Sequence, residues 1–177
     1  MTRKSTQDWL ESGLQILARD GLNSLIIDRM AQALGVTKGS FYHHFNSMRD
    51  FEEQLLNYWA NQYLSTAASL PDDRSVLLSL LDTIMAETFS PITEPEIAIR
   101  MWAHQDERAR QLVEQVDAVR QQFVLEVFRS TGKDEEQAGL MADLLFTITI
   151  GSLTSLPRIS PERVIKLYEE FKRLYQL

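Results

Sequence analysis

The chain has no cysteine in its 177 residues, which excludes disulfides, thiolate nucleophiles and cysteine metal sites. Glycine and proline are also scarce, seven and five residues, and that argues for long uninterrupted helices. No apolar run reaches the roughly 18 residues a membrane span needs, so no membrane partner is expected. The start, Met1-Thr-Arg-Lys-Ser, leads into a polar amphipathic segment rather than an apolar export signal, and the cytoplasm is the expected location. There is no glycine-rich phosphate loop and no metal-spaced His/carboxylate cluster. The serine-rich stretches lack a base that can be read from spacing. The chain therefore reads as a non-enzyme without a cofactor or a metal.

What remains is an ordinary globular composition, 44% hydrophobic and 24% charged, enough for one compact core or two small ones sharing an interface. The net charge is −7, but it is unevenly spread. Residues 1–50 carry six Lys/Arg against five acids, a net +1, and the remaining residues carry −8. An acidic remainder would confine contact with a polyanion to the N-terminal end. With so small a basic patch, modest non-specific affinity and steep loss with salt are expected.

The most informative stretch is residues 24–51. Ile27, Met30, Ala31 and Leu34 recur at helical spacing, giving one apolar face. Gly35 supplies the positive φ of a sharp helix exit. Val36 is an apolar plug beneath the turn, and Thr37 suits the N-cap of the next helix. That helix, about Lys38 to His44, carries Phe41 and Phe45 inward and leaves Lys38, Ser40, Tyr42 and His43 outside. This is the layout of a helix-turn-helix, whose second helix enters the major groove. Ser47 then opens a further helix as an S-x-x-D capping box with Asp50.

Gln32-Ala-Leu-Gly-Val-Thr-Lys-Gly-Ser-Phe-Tyr-His-His-Phe-Asn-Ser47 resembles the DNA-binding signature of the TetR family of bacterial transcriptional regulators, and the resemblance runs from Trp9 to about Phe51. Matched to that signature, Thr37, Lys38, Gly39, Ser40, Tyr42, His43 and His44 are the implied DNA contacts. Lys38 suits phosphate or guanine edges, Ser40 and His43 suit base edges or bridging waters, and Tyr42 and His44 suit phosphates. Met48 departs from the pattern, since the family usually places a lysine there to reach a phosphate. Arg49 is adjacent but about 100° round the helix. The neighbours His43 and His44 diverge by the same angle and have no third ligand near, so they are not a metal site.

Along the chain, Thr6 to Asp20 reads as a helix with Trp9, Leu10, Leu14 and Leu17 on one face, closed by Gly21. Arg3 and Lys4 precede it, as a solvated terminus or as an arm reaching DNA. The helix from Ser47 runs to about Ser69. Further helices are expected over Asp72–Phe89, Glu96–His104, Glu107–Arg129, Glu135–Leu156 and from Pro161 to the end. The fold class is all-α with about nine helices: three in a DNA-reading domain, residues 1–50, and about six in a ligand-binding and dimerisation domain, residues 51–177.

Trp59, Tyr63, Met85, Phe89, Met101, Trp102 and Phe123 could line an apolar cavity, or simply form core. His104 reads equally as a polar helix end or a pocket residue. The family resemblance favours a pocket for a small-molecule effector. The helix from Glu135 is apolar around nearly its whole circumference and should be buried on most sides. Val164, Leu167, Phe171 and Leu174 form a terminal stripe spaced 3, 4 and 3. The resemblance implies a homodimer through these two helices, with Leu145, Ile148, Ser152, Val164, Leu167, Tyr168 and Phe171 at the interface. A two-fold interface would set two reading heads on a palindromic operator of double-stranded DNA. The function so implied is a repressor released by its effector. The alternatives are a DNA binder whose body recognises a protein, and a helical carrier or enzyme that no longer binds DNA.

Overall fold

The computed structural model describes residues 4–64, 71–88, 94–157, 159–175 and 177. Among them are nine α-helices and no strand. The helices are α1 (Thr6–Asp20), α2 (Ile27–Leu34), α3 (Lys38–Phe41), α4 (Met48–Leu64), α5 (Arg74–Thr88), α6 (Glu94–Ala103), α7 (Glu107–Ser130), α8 (Glu135–Thr154) and α9 (Pro161–Tyr175). A short 3-10 turn, Leu22–Ser24, bridges α1 and α2. Phe89 and Arg3 lie outside the described residues.

The helix ends follow from local chemistry. Ser5 caps α1 in a reciprocal box with Asp8, whose carboxyl is lowered first by the Ser5 backbone N–H. Gly21 ends α1 at φ 77°. Asp73 accepts from the backbone N–H of Ser75 and Val76 at the head of α5. Asp106 does the same for Arg108 and Ala109 at the head of α7, and Asp134 caps α8. Each carboxylate satisfies donors that the first helical turn leaves open.

The described chain forms two compact units. The first comprises residues up to Tyr63 together with Glu94–Gln115, and the second Leu64–Thr93 with Val116–Leu177. In the first unit α6 packs along α1, and α6 turns an unexpected pair inward. Glu96 and Arg100 are buried and joined at 2.9 Å, whereas Met101 is 57% exposed. An i,i+4 ion pair can be buried because each charge supplies the other's partner.

In the second unit, Phe123, Val127 and Phe128 of α7, Ala138, Ala142 and Leu145 of α8, and Val164, Tyr168 and Phe171 of α9 are buried. Phe128 meets Phe171 edge-on at 6.1 Å. The Tyr168 hydroxyl donates to Asp82 of α5 at 2.8 Å, and Lys172 adds an ion pair to the same carboxylate at 3.0 Å. Burial first, then the hydrogen bond to Asp82, pushes the Tyr168 phenol up.

Within this single chain α8 is covered on one side only. Leu140 is 64% and Leu144 40% exposed, because the rest of the unit covers only one face of the helix. Among the described residues α8 is also the helix long and apolar enough, on average, to cross a membrane. Its Thr149 hydroxyl contacts Met85 of α5.

Candidate nucleic-acid interface

The turn between α2 and α3 is built from one glycine. Gly35 adopts the left-handed conformation, φ 67°, ψ 34°. Its N–H bonds Gln32 O at 3.2 Å, and the Val36 N–H reaches Ala31 O at 3.0 Å. These two bonds complete a Schellman closure, which satisfies the last carbonyls of α2 and reverses the chain within two residues. Thr37 takes the N-cap position with extended backbone, but its hydroxyl makes no capping bond and stays exposed. The α3 helix is shorter than its expected span. It holds α-geometry over Lys38–Phe41 and tightens into turns, His43 N–H to Ser40 O at 3.3 Å and His44 N–H to Phe41 O at 2.9 Å. Four residues fit a single hydrogen-bonded turn, and Phe41 and Phe45 are then both drawn inward.

Those two rings set the orientation of α3. Phe41 and Phe45 are buried and lie 5.0 Å apart. Trp9 of α1 meets Phe41 edge-on at 5.4 Å, and Phe51 of α4 meets Phe45 at 5.0 Å and 89°. Edge-to-face aromatic contacts of this kind add to the burial they bring. Gly13 lets α1 come close to this cluster: a methyl group in its place would lie 2.6 Å from Phe51 Cζ. The sequence shows no spacing signal for this contact across 38 residues.

With the rings inward, Thr37, Lys38, Gly39, Tyr42 and His43 are exposed and Ser40 is partly so. Tyr42 is 61% exposed and rests on the edge of Phe41. His44 is half-buried, its Nδ1 3.1 Å from the Thr6 hydroxyl, so one ring nitrogen is engaged at the start of α1. The Lys38 ammonium pairs with Asp28 of α2 at 2.5 Å. Arg29 of α2 and Arg19 of α1 share Asp20, at 3.1 and 2.8 Å, and the Arg19 hydrogen bond holds that carboxyl below its usual range.

The α4 cap differs in detail from the expected box. Ser47 accepts from Asp50 N–H, but Asp50 returns to the Asn46 backbone N–H at 2.7 Å, one residue earlier. Met48 is half-buried, and Arg49 lies exposed 3.9 Å from Glu53. Further along α4, Glu52 receives Arg108 of α7 at 3.1 Å, while Arg108 also binds Asp106 at 2.6 Å. The Arg108 hydrogen bond drives the Asp106 carboxyl down to about 2.

The expected pocket residues divide between the units. Trp59, Tyr63, Met101, Trp102 and His104 belong to the first and Met85 and Phe123 to the second. Trp59 and Trp102 are buried, while Met101 and His104 are exposed. A small cleft of about 190 Å³ in the second unit is lined by Met85 with Asp82, Ala86, Ile165, Tyr168, Glu169 and Lys172. Of the expected interface residues, Leu145, Ser152, Val164, Tyr168 and Phe171 are buried within this chain, Ile148 is half-buried and Leu167 is exposed. Their inward placement follows from which side of α8 and α9 the unit covers, which an all-apolar wheel does not reveal.

Residues 10–55 match the model of the bacterial regulatory proteins, tetR family. The chain is 33% identical over 70 residues to the HTH-type transcriptional repressor DhaR of Mycobacterium sp. (strain GP1), a stretch covering 40% of this chain and 35% of that protein's length. Solved structures share the fold over nearly the whole chain. A TetR transcription regulator from Haloarcula marismortui superposes with a TM-score of 0.73 at 18% identity, covering 95% of this chain and 94% of that one. A Saccharomonospora viridis protein solved in complex with choline does so with 0.72 at 17%, covering 95% of both chains. The turn closed on Gly35 and the aromatic bracing of α3 thus lie within residues 10–55, the segment that matches the bacterial regulatory proteins of the tetR family.

Proposed function

We propose that the chain is a repressor that binds double-stranded DNA through α2 and α3, acts as a homodimer on a palindromic operator, and is released by a small-molecule effector in the cytoplasm. One observation carries the reading. The rings of α3 are locked inward against Trp9 and Phe51, so Thr37, Lys38, Ser40, Tyr42 and His43 share the outer surface of a short helix. Thr37 to His44 then offer hydroxyls, an ammonium and imidazoles to phosphates and base edges.

Dimerisation is supported by what α8 and α9 leave uncovered. Leu140, Leu144, Thr147, Gly151 and Thr154 are exposed on α8 in steps of 4, 3, 4 and 3, and Leu167 and Leu174 are exposed on α9. Such spacing makes a seam for a second helix pair, and these residues, rather than the inward Val164 or Phe171, would meet the partner. Effector binding is supported by the choline complex of the Saccharomonospora viridis relative. An effector acts only through its different affinity for DNA-bound and DNA-free states.

The test is a salt titration of the protein on the DNA upstream of its own gene and on a scrambled duplex. Sequence-dependent binding that weakens steeply with salt is the expected outcome. Equal, weak binding to both duplexes would overturn the reading. An effector screen follows by thermal shift, in which a hit must stabilise the protein and lower operator affinity together.

A further inference from the structure

All five described cations of the reading head face a carboxylate of the same chain. Lys4 lies 3.8 Å from Asp8, Arg19 and Arg29 lie 2.8 and 3.1 Å from Asp20, Lys38 lies 2.5 Å from Asp28, and Arg49 lies 3.9 Å from Glu53. A surface meant simply to attract a polyanion would leave some of its cations free. Of these pairs, Lys38–Asp28 is the one that joins α2 to α3, with both side chains more than half exposed to solvent.

We infer that Asp28 is an affinity-limiting residue of the α2–α3 surface, which holds the Lys38 ammonium in an internal ion pair that DNA must displace. The inference rests on the DNA-binding reading above. Displacement has an energetic and a chemical consequence. A phosphate offered by any duplex gains Lys38 only by leaving Asp28 unpaired and close to the DNA backbone, where like charges repel. Base contacts to Ser40 and His43 add to operator binding whether or not Asp28 is present, so they leave this loss unchanged. Asp28 therefore weakens binding to every duplex that recruits Lys38, by a similar factor.

The salt dependence carries the same signature. Each neutralised phosphate releases counterions and contributes about −0.9 to the slope of log K against log salt. When Lys38 leaves Asp28, the freed carboxylate takes a cation back from solution, which cancels part of that release. The parent slope is shallower for this reason.

The test compares parent, Asp28→Asn, Lys38→Ala and the double variant by fluorescence anisotropy. Each is titrated on the operator duplex and on a scrambled duplex across a salt series, with thermal unfolding as a check on the fold. Sequence-dependent binding by the parent is established first, and its failure would remove the DNA-binding reading itself. With that in hand, Asp28→Asn should tighten scrambled DNA on the order of fivefold per reading head, the size of one exposed charge pair. Operator affinity should rise by a similar factor, and the salt slope on both duplexes should steepen by somewhat under one per head. In the Lys38→Ala background the same substitution should have a much smaller effect. An effect of full size without Lys38 would overturn the inference, because Asp28 would then act only through the general field of the protein. No change in any variant would overturn it equally.

Discussion

Replacing Gly13 by alanine sets two opposing effects against each other in the core of the reading head. Within a helix, alanine is favoured over glycine by about 0.8–1.0 kcal/mol, so on propensity alone the variant should be more stable. Its methyl group, however, would sit 2.6 Å from Phe51 Cζ and 3.3 Å from Leu55 Cδ1. Phe51 is fully buried and touches the rings of Phe41 and Phe45 at 5.7 and 5.0 Å, so it has no space to retreat into. Overpacking of this kind costs about 1–3 kcal/mol, and so close an approach belongs near the upper end. The clash wins by about 1–2 kcal/mol. At about 2–4 °C per kcal/mol for a chain of this length, Tm should fall by roughly 2–8 °C. DNA affinity should fall too, since Phe51 braces the rings that orient α3. Thermal unfolding by circular dichroism measures the first effect and anisotropy on the operator the second. Gly139→Ala on α8 is the control, because nothing lies within 4 Å of its added methyl group, and its Tm should hold or rise. A Gly13→Ala protein melting at or above the parent would refute the reasoning.

Three further outcomes follow from the packing. Asp106 caps α7 and pairs with Arg108, its folded pKa near 2 against an ordinary 3.8. Its contribution is therefore complete above pH 4 and is lost as pH falls through about 2; Asp106→Ala should cost about 1 kcal/mol at pH 7 after screening, and the gap to the parent should close in acid. Leu144→Glu on the exposed side of α8 should leave the helical spectrum intact while sedimentation shows monomers, and a stable dimer would refute the proposed seam. Tyr168→Phe removes the bond to Asp82 and should cost about 1 kcal/mol in denaturant midpoint, with no loss expected if Lys172 alone satisfied that carboxylate.

Helix starts and stops were legible because their causes lie within a few residues. Gly21, Gly35, Ser5 and Asp134 act on neighbours three or four positions away, and the expected ends that lie within the described residues fell within a few residues of those observed. The expected end near Ser69 lies outside them. The inward turn of Phe41 and Phe45 was legible for the same reason. The Asp28–Lys38 pair and the Thr6–His44 bond were not, since a carboxylate ten residues away and a hydroxyl 38 residues away leave no periodic trace. On α6 the apolar residues pointed to Met101, yet the ion pair Glu96–Arg100 took the buried side.

By itself the sequence determined an all-helical chain and a sharp glycine turn before an exposed polar face, because hydrophobic period and capping chemistry are local properties. Which side of each helix is covered was decided only in the tertiary structure. The α8 helix shows why: its residues are apolar all round, so periodicity gives no preferred face. Packing against the rest of its unit then buries Ala138, Ala142 and Leu145 and leaves Leu140 and Leu144 in solvent.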